Sequence, residues 1–467
     1  MYIDADANDV TAVTTLHSTS NLVAALGTNQ VPGRVHFLVS ELPEENTFCK
    51  SEDKTWKHDG SSILPSGVGA IRAAASIRTH DKIYFVFGTD QSPGVVVPGG
   101  NLKGEPVQLA DGEDVVTVAL GVSDEKYNKP SFLFATWTTP SRLVRIDIDQ
   151  DTDTLRRSTV LSASLPRGVN RIRTGVLDPR GFYEFEETDT ESELNSEKNY
   201  KVAHFVSDTV PSALVTVRTT DLQIIDALVF PVTENGSNVR KGTVRISMHN
   251  QSGEKKTAVS YWVTRSQNTP STLFAVRHDR VDGGGARIIG RYDFSPYEQL
   301  VTGVAVEQLG GGIDNEISTV VVYVTFDTPN RDGQIVVVLV ETIGEGESLQ
   351  FSRKGAATIP DAKATSLISV TNGLANYVTR GSPAELIEID YLGWRQGTGA
   401  LDEEVFALSG PEVTTSLCVV FLNQTHFGAT ALYLGEEMSL ERKQAIADWV
   451  ESSNSIDGVA LWSARPC

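Results

Sequence analysis

Short, densely apolar runs alternate with turn residues from one end of the chain to the other. Runs such as "IYFVFG" (83–88), "SFLFAT" (131–136), "TLFAVR" (272–277) and "VVVYVTF" (320–326) are rich in β-branched and aromatic residues and have strand length. Between them stand clusters of Gly, Pro, Ser, Thr and Asp, residues that set turns through fixed or left-handed torsions and local side-chain bonds. No repeated unit carries apolar residues at helical spacing over ten or more positions, so the pattern predicts an all-β chain. One short helix is expected near the end, in "SLERKQAIADWVESS" from Ser439, with Ser as cap and Leu440, Ile446, Trp449 and Val450 toward one side.

The strands recur in register. "FATWTTPSRLVRID" (134–147) and "YVTRGSPAELIEID" (377–390) follow one pattern without a gap, and shorter copies begin at Phe37, Phe87, Phe205 and Tyr323. A looser copy, "YWVTRSQNTP", ends at Pro270. The marked prolines are Pro43, Pro93, Pro140, Pro211, Pro270, Pro329 and Pro383, 47 to 71 residues apart. Each copy predicts a β-hairpin with Pro in its turn. One apolar run precedes every hairpin ("VVTVALGVSD", "RIRTGVLD", "LVTGVAVEQ", "ATSLISV") and an amphipathic one follows ("LRRSTVLSA", "QIIDALVF", "ARIIGRYDF", "EEVFALS"). Four strands per unit, with the innermost most apolar and the outermost most polar, predict a seven-bladed β-propeller of four-stranded antiparallel blades spanning 1–467. A pair of β-sandwiches is the rival architecture, and a regular single repeat argues against it.

Two segments depart from the repeat. Residues 179–200, with an acidic run from Glu184 to Glu197, read as an insertion projecting as a solvated loop, because a central strand could not bury those charges unpaired. Residues 413–467 hold strand-like runs and the expected helix. They are expected to close the ring by lending strands to the first blade, in preference to forming an eighth, since an open ring would leave two unpaired edges.

Sixty Asp and Glu against forty Lys and Arg give a net charge of -20, which repels nucleic-acid backbones and anionic headgroups. No run of eighteen apolar residues occurs and the first residues lack a basic and an apolar region, so neither a membrane span nor a signal peptide is expected. That reading makes the protein cytoplasmic, or extracellular or surface-bound if Met1 is not the natural start. Cys49, Cys418 and Cys467 are too few for a disulfide scaffold and are not spaced for zinc. If the tail closes the ring, Cys49 and Cys418 become a candidate disulfide. Sequons at Asn235, Asn250 and Asn423 are candidate glycosylation sites, at a frequency that chance also gives.

Signatures of catalysis are sparse. The chain holds no phosphate loop, no HExxH, no nucleophile elbow and no CxxC, and its eight histidines are scattered; His204 reads as a satisfied strand histidine. "DIDQDTDT" places Asp147, Asp149, Asp151 and Asp153 at alternate positions, a candidate calcium loop if the backbone curls, although Thr154 stands where such loops carry Gly. The competing reading is a polar loop at a strand end. "DGGGAR" (282–287) and "LGGGID" (309–314) read as loops between strands. A propeller enzyme of hydrolase or lyase type would gather carboxylates at the axial mouth, with Asp124, Asp178, Asp208 and Asp221 as candidates.

"FGTDQSPGVVV", "TGVLDPRGFYEF" and the ungapped pair resemble the repeats of large β-propeller proteins whose units read strand, Gly-Thr, turn, Ser-Pro-Gly, Val-Val-x-Ile-Asp. The resemblance covers about residues 20 to 410. It implies a binding platform, often secreted or surface-exposed: a protein-interaction or structural module whose partners are other proteins, copies of itself included. It carries no family active site onto this sequence.

Overall fold

The computed structural model describes residues 10–390, 419–422, 429–431 and 459–461, except for 18–20, 42–56, 80–81, 112, 114, 123–129, 166–170, 184–198, 232–237, 248–256, 266–268, 279–284, 309–318, 329–330, 344–347, 360–363, 372–373 and 380–385. Among the described residues there is no helix. The first sheet is β1 (Val10–His17), β2 (Asn21–Thr28), β3 (Arg34–Glu41) and β4 (Lys57–Ile63). The second is β5 (Ile71–Arg78), β6 (Ile83–Thr89), β7 (Val95–Gly100) and β8 (Val107–Gln108). The third is β9 (Val115–Val122), β10 (Ser131–Thr136), β11 (Arg142–Asp149) and β12 (Thr154–Ser164). The fourth is β13 (Ile172–Tyr183), β14 (Asn199–Ser207), β15 (Ala213–Arg218) and β16 (Ile224–Val229). The fifth is β17 (Asn238–Ser247), β18 (Thr257–Arg265), β19 (Thr272–His278) and β20 (Arg287–Asp293). The sixth is β21 (Leu300–Gln308), β22 (Thr319–Thr328), β23 (Arg331–Ile343) and β24 (Ser348–Ile359). The next is β25 (Ala364–Thr371), β26 (Leu374–Thr379) and β27 (Leu386–Asp390).

In each of these sheets the strands neighbour one another in chain order and pair antiparallel. The first strands of successive sheets touch, β1 with β5, then β9, β13, β17, β21 and β25 in turn, and β25 returns to β1. First strands therefore surround a common axis, and the sheets are the blades of a β-propeller.

Burial explains why the strands read as they do. On β10, Phe132 and Phe134 pack with Tyr84 and Val86 of the second sheet, while Leu133 and Ala135 pack with Phe205 and Val215 of the fourth. A middle strand is covered on both faces, so its sequence is apolar throughout rather than alternating. The outer strand β16 alternates half-buried with exposed residues along its whole length, as expected for an edge facing water. The innermost strands correct the expectation that they are the most apolar. β5, "IRAAASIR", alternates buried with partly or fully exposed residues. Proximity at the axis selects small side chains there: a Cβ added to Gly121 on β9 would collide with the Ser76 carbonyl of β5.

Because strands run up and down in order, one end of the ring collects every hairpin between second and third strands and every linker to the next sheet. Pro93, Pro140, Pro211 and Pro270 lie in those hairpins. Pro329 and Pro383 fall between the corresponding strands in sequence but outside the described residues. The first sheet corrects the repeat: Pro43 follows β3 and lies outside the described residues, whereas the β2–β3 hairpin carries Pro32. Its sequence "GTNQVPG" (27–33) repeats "GTDQSPG" (88–94), and the peptide bonds before Pro32, Pro93, Pro140 and Pro211 are all cis.

The ends of the expected insertion are strand, with Phe182 opposite Tyr200 and Tyr183 opposite Asn199. Residues 184–198, between them, lie outside the described residues. Among the described residues the first sheet consists of β1–β4. Of the C-terminal run, the described strands are β28 (Val419–Leu422), which pairs with β29 (Ala429–Ala431) and β30 (Val459–Leu461). The Ser439 helix, the three cysteines, the three sequons and Asp124 all lie outside the described residues. No helix of the described residues is long and apolar enough to cross a membrane.

Candidate functional site

The proline-bearing face is built by a repeated set of side-chain bonds. In the third sheet Arg142 N donates to Thr136 Oγ1 (2.7 Å), Thr138 Oγ1 donates to the Pro140 carbonyl (3.0 Å) and Ser141 Oγ to the Thr136 carbonyl (2.6 Å). The fourth sheet repeats it: Ala213 N donates to Ser207 Oγ (2.8 Å) and Thr209 Oγ1 to the Pro211 carbonyl (2.8 Å). In both hairpins a hydroxyl four places before Pro thus closes the turn.

The small residue after Pro has a different task. Ile172 N donates to Ser141 Oγ (2.9 Å) and Val239 N to Ser212 Oγ (3.0 Å), so each serine holds the first strand of the following sheet. In the same position, the backbone N–H of Gly33, Gly94 and Ser271 donates to Gly69, Glu113 and Glu298 carbonyls of the linker ahead. Leu64, Leu109, Phe230 and Phe294, each buried at the end of its own sheet, return an N–H to the carbonyls of Gly33, Gly94, Ser212 and Ser271. The first five sheets are thereby each stapled to the linker that leaves them.

A bulge near the start of most first strands sets one residue out of register. The register skips Arg72 between Ile71 and Ala73, Arg173 between Ile172 and Thr174, and Thr302 between Val301 and Gly303. Thr11, Arg240 and Thr365 stand at the same skipped position in the remaining first strands apart from β9, where the shift falls opposite Ala135 and Thr136. Bulges commonly redirect a side chain beside a functional opening.

Two of these arginines differ in what they do. Arg72 pairs with Asp90 of its own sheet at 3.0 Å, and Asp90 also accepts from Ala70 N (2.7 Å). Arg173 leans onto the preceding sheet, its guanidinium carbon 4.8 Å from the centroid of the Trp137 ring, beside Arg171 at 4.6 Å. Arg171 Nε donates to Thr139 Oγ1 (3.3 Å). Burial pushes the Arg173 guanidinium below its ordinary pKa; Asp208 opposes that shift, and Arg265 and Arg171 reinforce it. Trp137, Asp208 and Arg265 are, in three successive sheets, the residues that follow the hairpin hydroxyl.

Large exposed apolar residues collect at the same end. Val31 and Val210 stand immediately before their prolines, Ile63 and Val229 end fourth strands, and Tyr297 tips a linker; each is more than half exposed. Ile225, the remaining one among the described residues, lies toward the opposite face.

On that opposite face the candidate calcium carboxylates diverge. Asp147 pairs with Arg145 (2.7 Å), Asp149 with Arg156 (2.8 Å) and Asp153 with Lys82 of the second sheet (2.7 Å), while Asp151 is exposed. Among the described residues no three His, Cys, Asp or Glu side chains gather as metal ligands would. The enzyme candidates also separate. Asp208 lies on the proline face and Asp221 in a turn on the opposite one, paired with Arg218 at 3.0 Å. Asp178 is fully buried against His204, Oδ2 to Nε2 3.3 Å, and His204 Nδ1 lies 3.0 Å from Thr216 Oγ1. The His204 ring stacks on His278 of the next sheet, centroids 3.9 Å apart, and His278 Nε2 lies 2.6 Å from Ser260 Oγ, which accepts from Trp262 Nε1 (2.6 Å). An Asp–His–hydroxyl chain has the composition of a nucleophile relay, but neither Asp178 nor His204 exposes any side-chain surface to a substrate. His204 is a buried, hydrogen-bonded strand histidine.

No family model and no curated protein matches the sequence. Among solved structures, Drosophila Semaphorin 1a extracellular domains 1–2 is similar at 9% identity, covering 93% of this chain and 95% of that one with a TM-score of 0.46. The β-propeller domain of Myceliophteria thermophila Cps50 (Swd1) is similar at 12% identity, over 81% of this chain and 99% of that one, TM-score 0.45. Saccharomyces cerevisiae Sqt1 follows at 9% identity, 82% and 96% coverage and 0.42. The propeller assignment rests on the strand order and the ring of first strands.

Proposed function

We propose that the chain is a seven-bladed β-propeller acting as a protein-interaction or structural module, with the proline face as its docking surface. The seven sheets whose first strands meet around the axis are taken as the blades, and β28–β30 stand outside that count. The observation that carries the docking reading is one-sidedness: Val31, Ile63, Val210, Val229 and Tyr297 all lie at one end of the ring. Single exposed apolar residues are ordinary, but their concentration at one end, beside Trp and Arg, has the composition of a partner surface. The partners are other proteins, copies of this chain included, and the net charge of -20 disfavours nucleic acid.

The alternative, a propeller enzyme, needs carboxylates that converge on an open pocket. Burial of Asp178 and the opposite placement of Asp208 and Asp221 favour binding over catalysis. An extracellular or cell-surface setting belongs to the same proposal through Asn235, Asn250, Asn423 and a Cys49–Cys418 disulfide. Its expected signatures are glycosidase-sensitive mass at those asparagines and a cross-linked pair in non-reducing peptide mapping.

The docking reading is tested by copurification from the source cells with two double variants. Val31→Asp with Val210→Asp alters the proline face, and Asp151→Lys with Asp221→Lys alters the other. Proteins captured by the wild type should be lost from the first variant and kept by the second. Equal retention by both would remove the proline face as the docking surface.

A further inference from the structure

We propose that Arg173, with Arg171, Arg265 and Trp137, forms a carboxylate-binding site at the mouth of the axis, which takes an acidic side chain of a partner polypeptide. The inference rests on the docking face described above and names the chemistry that this face recognises.

The comparison with the second sheet is decisive. Arg72 and Arg173 occupy the same bulged position, and Asp90 and Asp208 the same hairpin position: Asp90 N donates to the Ala70 carbonyl as Asp208 N does to that of Arg171. In the second sheet that geometry closes an ion pair at 3.0 Å. In the fourth sheet it does not. Arg173 is turned across the blade boundary onto Trp137 instead, and among the described residues no carboxylate lies within ion-pair distance of Arg173 or Arg265.

A half-buried guanidinium is costly unless something compensates it. The Trp137 face supplies part of that compensation through its quadrupole and holds the guanidinium planes in place. Among the described residues, one negative charge, Asp208, acts on Arg173 against two further positive ones, Arg265 and Arg171, so these groups carry an excess of positive charge in a molecule whose net charge is -20. Guanidinium forks match a carboxylate with two parallel N–H···O bonds. The overall charge repels extended polyanions, while a single carboxylate feels mainly the local cluster within a Debye length, about 8 Å at physiological salt. Exposed Val210, in the hairpin that carries Asp208, favours a polypeptide that brings apolar side chains alongside its acidic one.

The test uses the full chain and a fluorescein-labelled Glu-Leu repeat octapeptide, with its Gln-Leu counterpart as control, followed by fluorescence polarisation at two salt concentrations. The Glu peptide should bind and the Gln peptide at least about tenfold more weakly, a difference of about 1.4 kcal/mol. Arg173→Gln should abolish the difference. Arg265→Gln, at an exposed strand end, should reduce it with the melting temperature unchanged, which keeps the test valid if the Arg173 variant is unstable. Equal binding of the two peptides, or unchanged binding in both variants, would overturn the proposal. So would competition by millimolar inorganic phosphate at Arg173 without any peptide binding, which would assign the cluster to a small free anion. None of these failures touches the face-dependent copurification above, so the docking reading can survive the loss of this one.

Discussion

Asp153 illustrates how a residue that looks like a ligand can be a structural anchor. It sits at φ 57°, the last position of the β11–β12 turn, and Leu222 takes the same left-handed conformation (φ 60°) in the β15–β16 turn. Asp tolerates that region better than most residues because its short side chain can bond locally. The turn buries both side chains, and Asp153 there accepts from Lys82 Nζ (2.7 Å) and Tyr84 OH (2.9 Å). The Lys82 bond, then that of Tyr84, holds the Asp153 carboxyl below its ordinary range, while burial, then the Asp153 bond and charge, pushes Tyr84 up to about 12. Unfolded Asp and Tyr titrate near about 3.9 and 10. The Asp153 contribution is therefore present above about pH 4 and lost as pH falls through the lowered value. The Tyr84 contribution is present below about pH 10 and lost as pH rises toward 12. Urea midpoints across pH should show both limbs: Asp153→Asn should flatten the acid one, and Tyr84→Phe should reduce the alkaline one, to which Tyr261 and Tyr292, both raised by burial, also contribute. An Asp153→Asn profile superimposable on the wild type would break this assignment. Calcium is the companion test. Asp147, Asp149 and Asp153 each face a different cation, so calcium is expected to leave the melting temperature unchanged, and a rise reversed by chelator would restore the loop as a cation site.

At the scale of the element, the hairpin-and-linker staple carries the repeat. Ser141 and Ser212 each accept the N–H that begins the next first strand, and both are buried. Ser141→Ala and Ser212→Ala should each cost about 1–3 kcal/mol, because a buried N–H loses its partner. The two serines share no partner, so the double variant should be close to additive in urea denaturation, and strong non-additivity would mean the staples are not independent. Much of this element was legible in sequence. Strand composition locates the hairpins, and the constant offset from the strand-end aromatic to Pro locates their turns. Pro32 escapes the pattern because Leu26, Gly27 and Thr28 before it lack the aromatic strand end that marks the other copies, while Phe37 and Pro43 match it by accident. The linker anchors, Leu64, Leu109, Phe230 and Phe294, carry no spacing of their own and emerge only when their amides are seen bonding back to the residue after Pro. The Trp137–Arg173 site was illegible for a related reason: the bulge that redirects Arg173 is a register shift between strands, and the contact joins residues of different sheets. What sequence signal exists is the Ile-Arg opening shared by β5 and β13.

For the whole molecule, the question is what closes the ring. An open propeller would leave the first and last sheets with faces that water cannot cover, inviting association with other chains. Among the described residues the contact that completes the ring is that of β25 with β1, strands from different ends of the repeat. β1 touches β5 on one side and β25 on the other while pairing with β2, so it holds three neighbours at once. The tail strands β28–β30 pair with one another. Two truncations separate these roles. A chain ending at residue 412 keeps every first strand, and it should retain the oligomeric state of the full chain and a single cooperative melt. A chain starting at residue 18 loses β1, exposes the inner edge of β2 and the faces of β5 and β25, and should associate or unfold. Size-exclusion chromatography with light scattering, followed by thermal melts, reads both. If the tail deletion associates and the β1 deletion does not, closure lies in residues 413–467 after all, and the ring is held shut by its end rather than by its first strand.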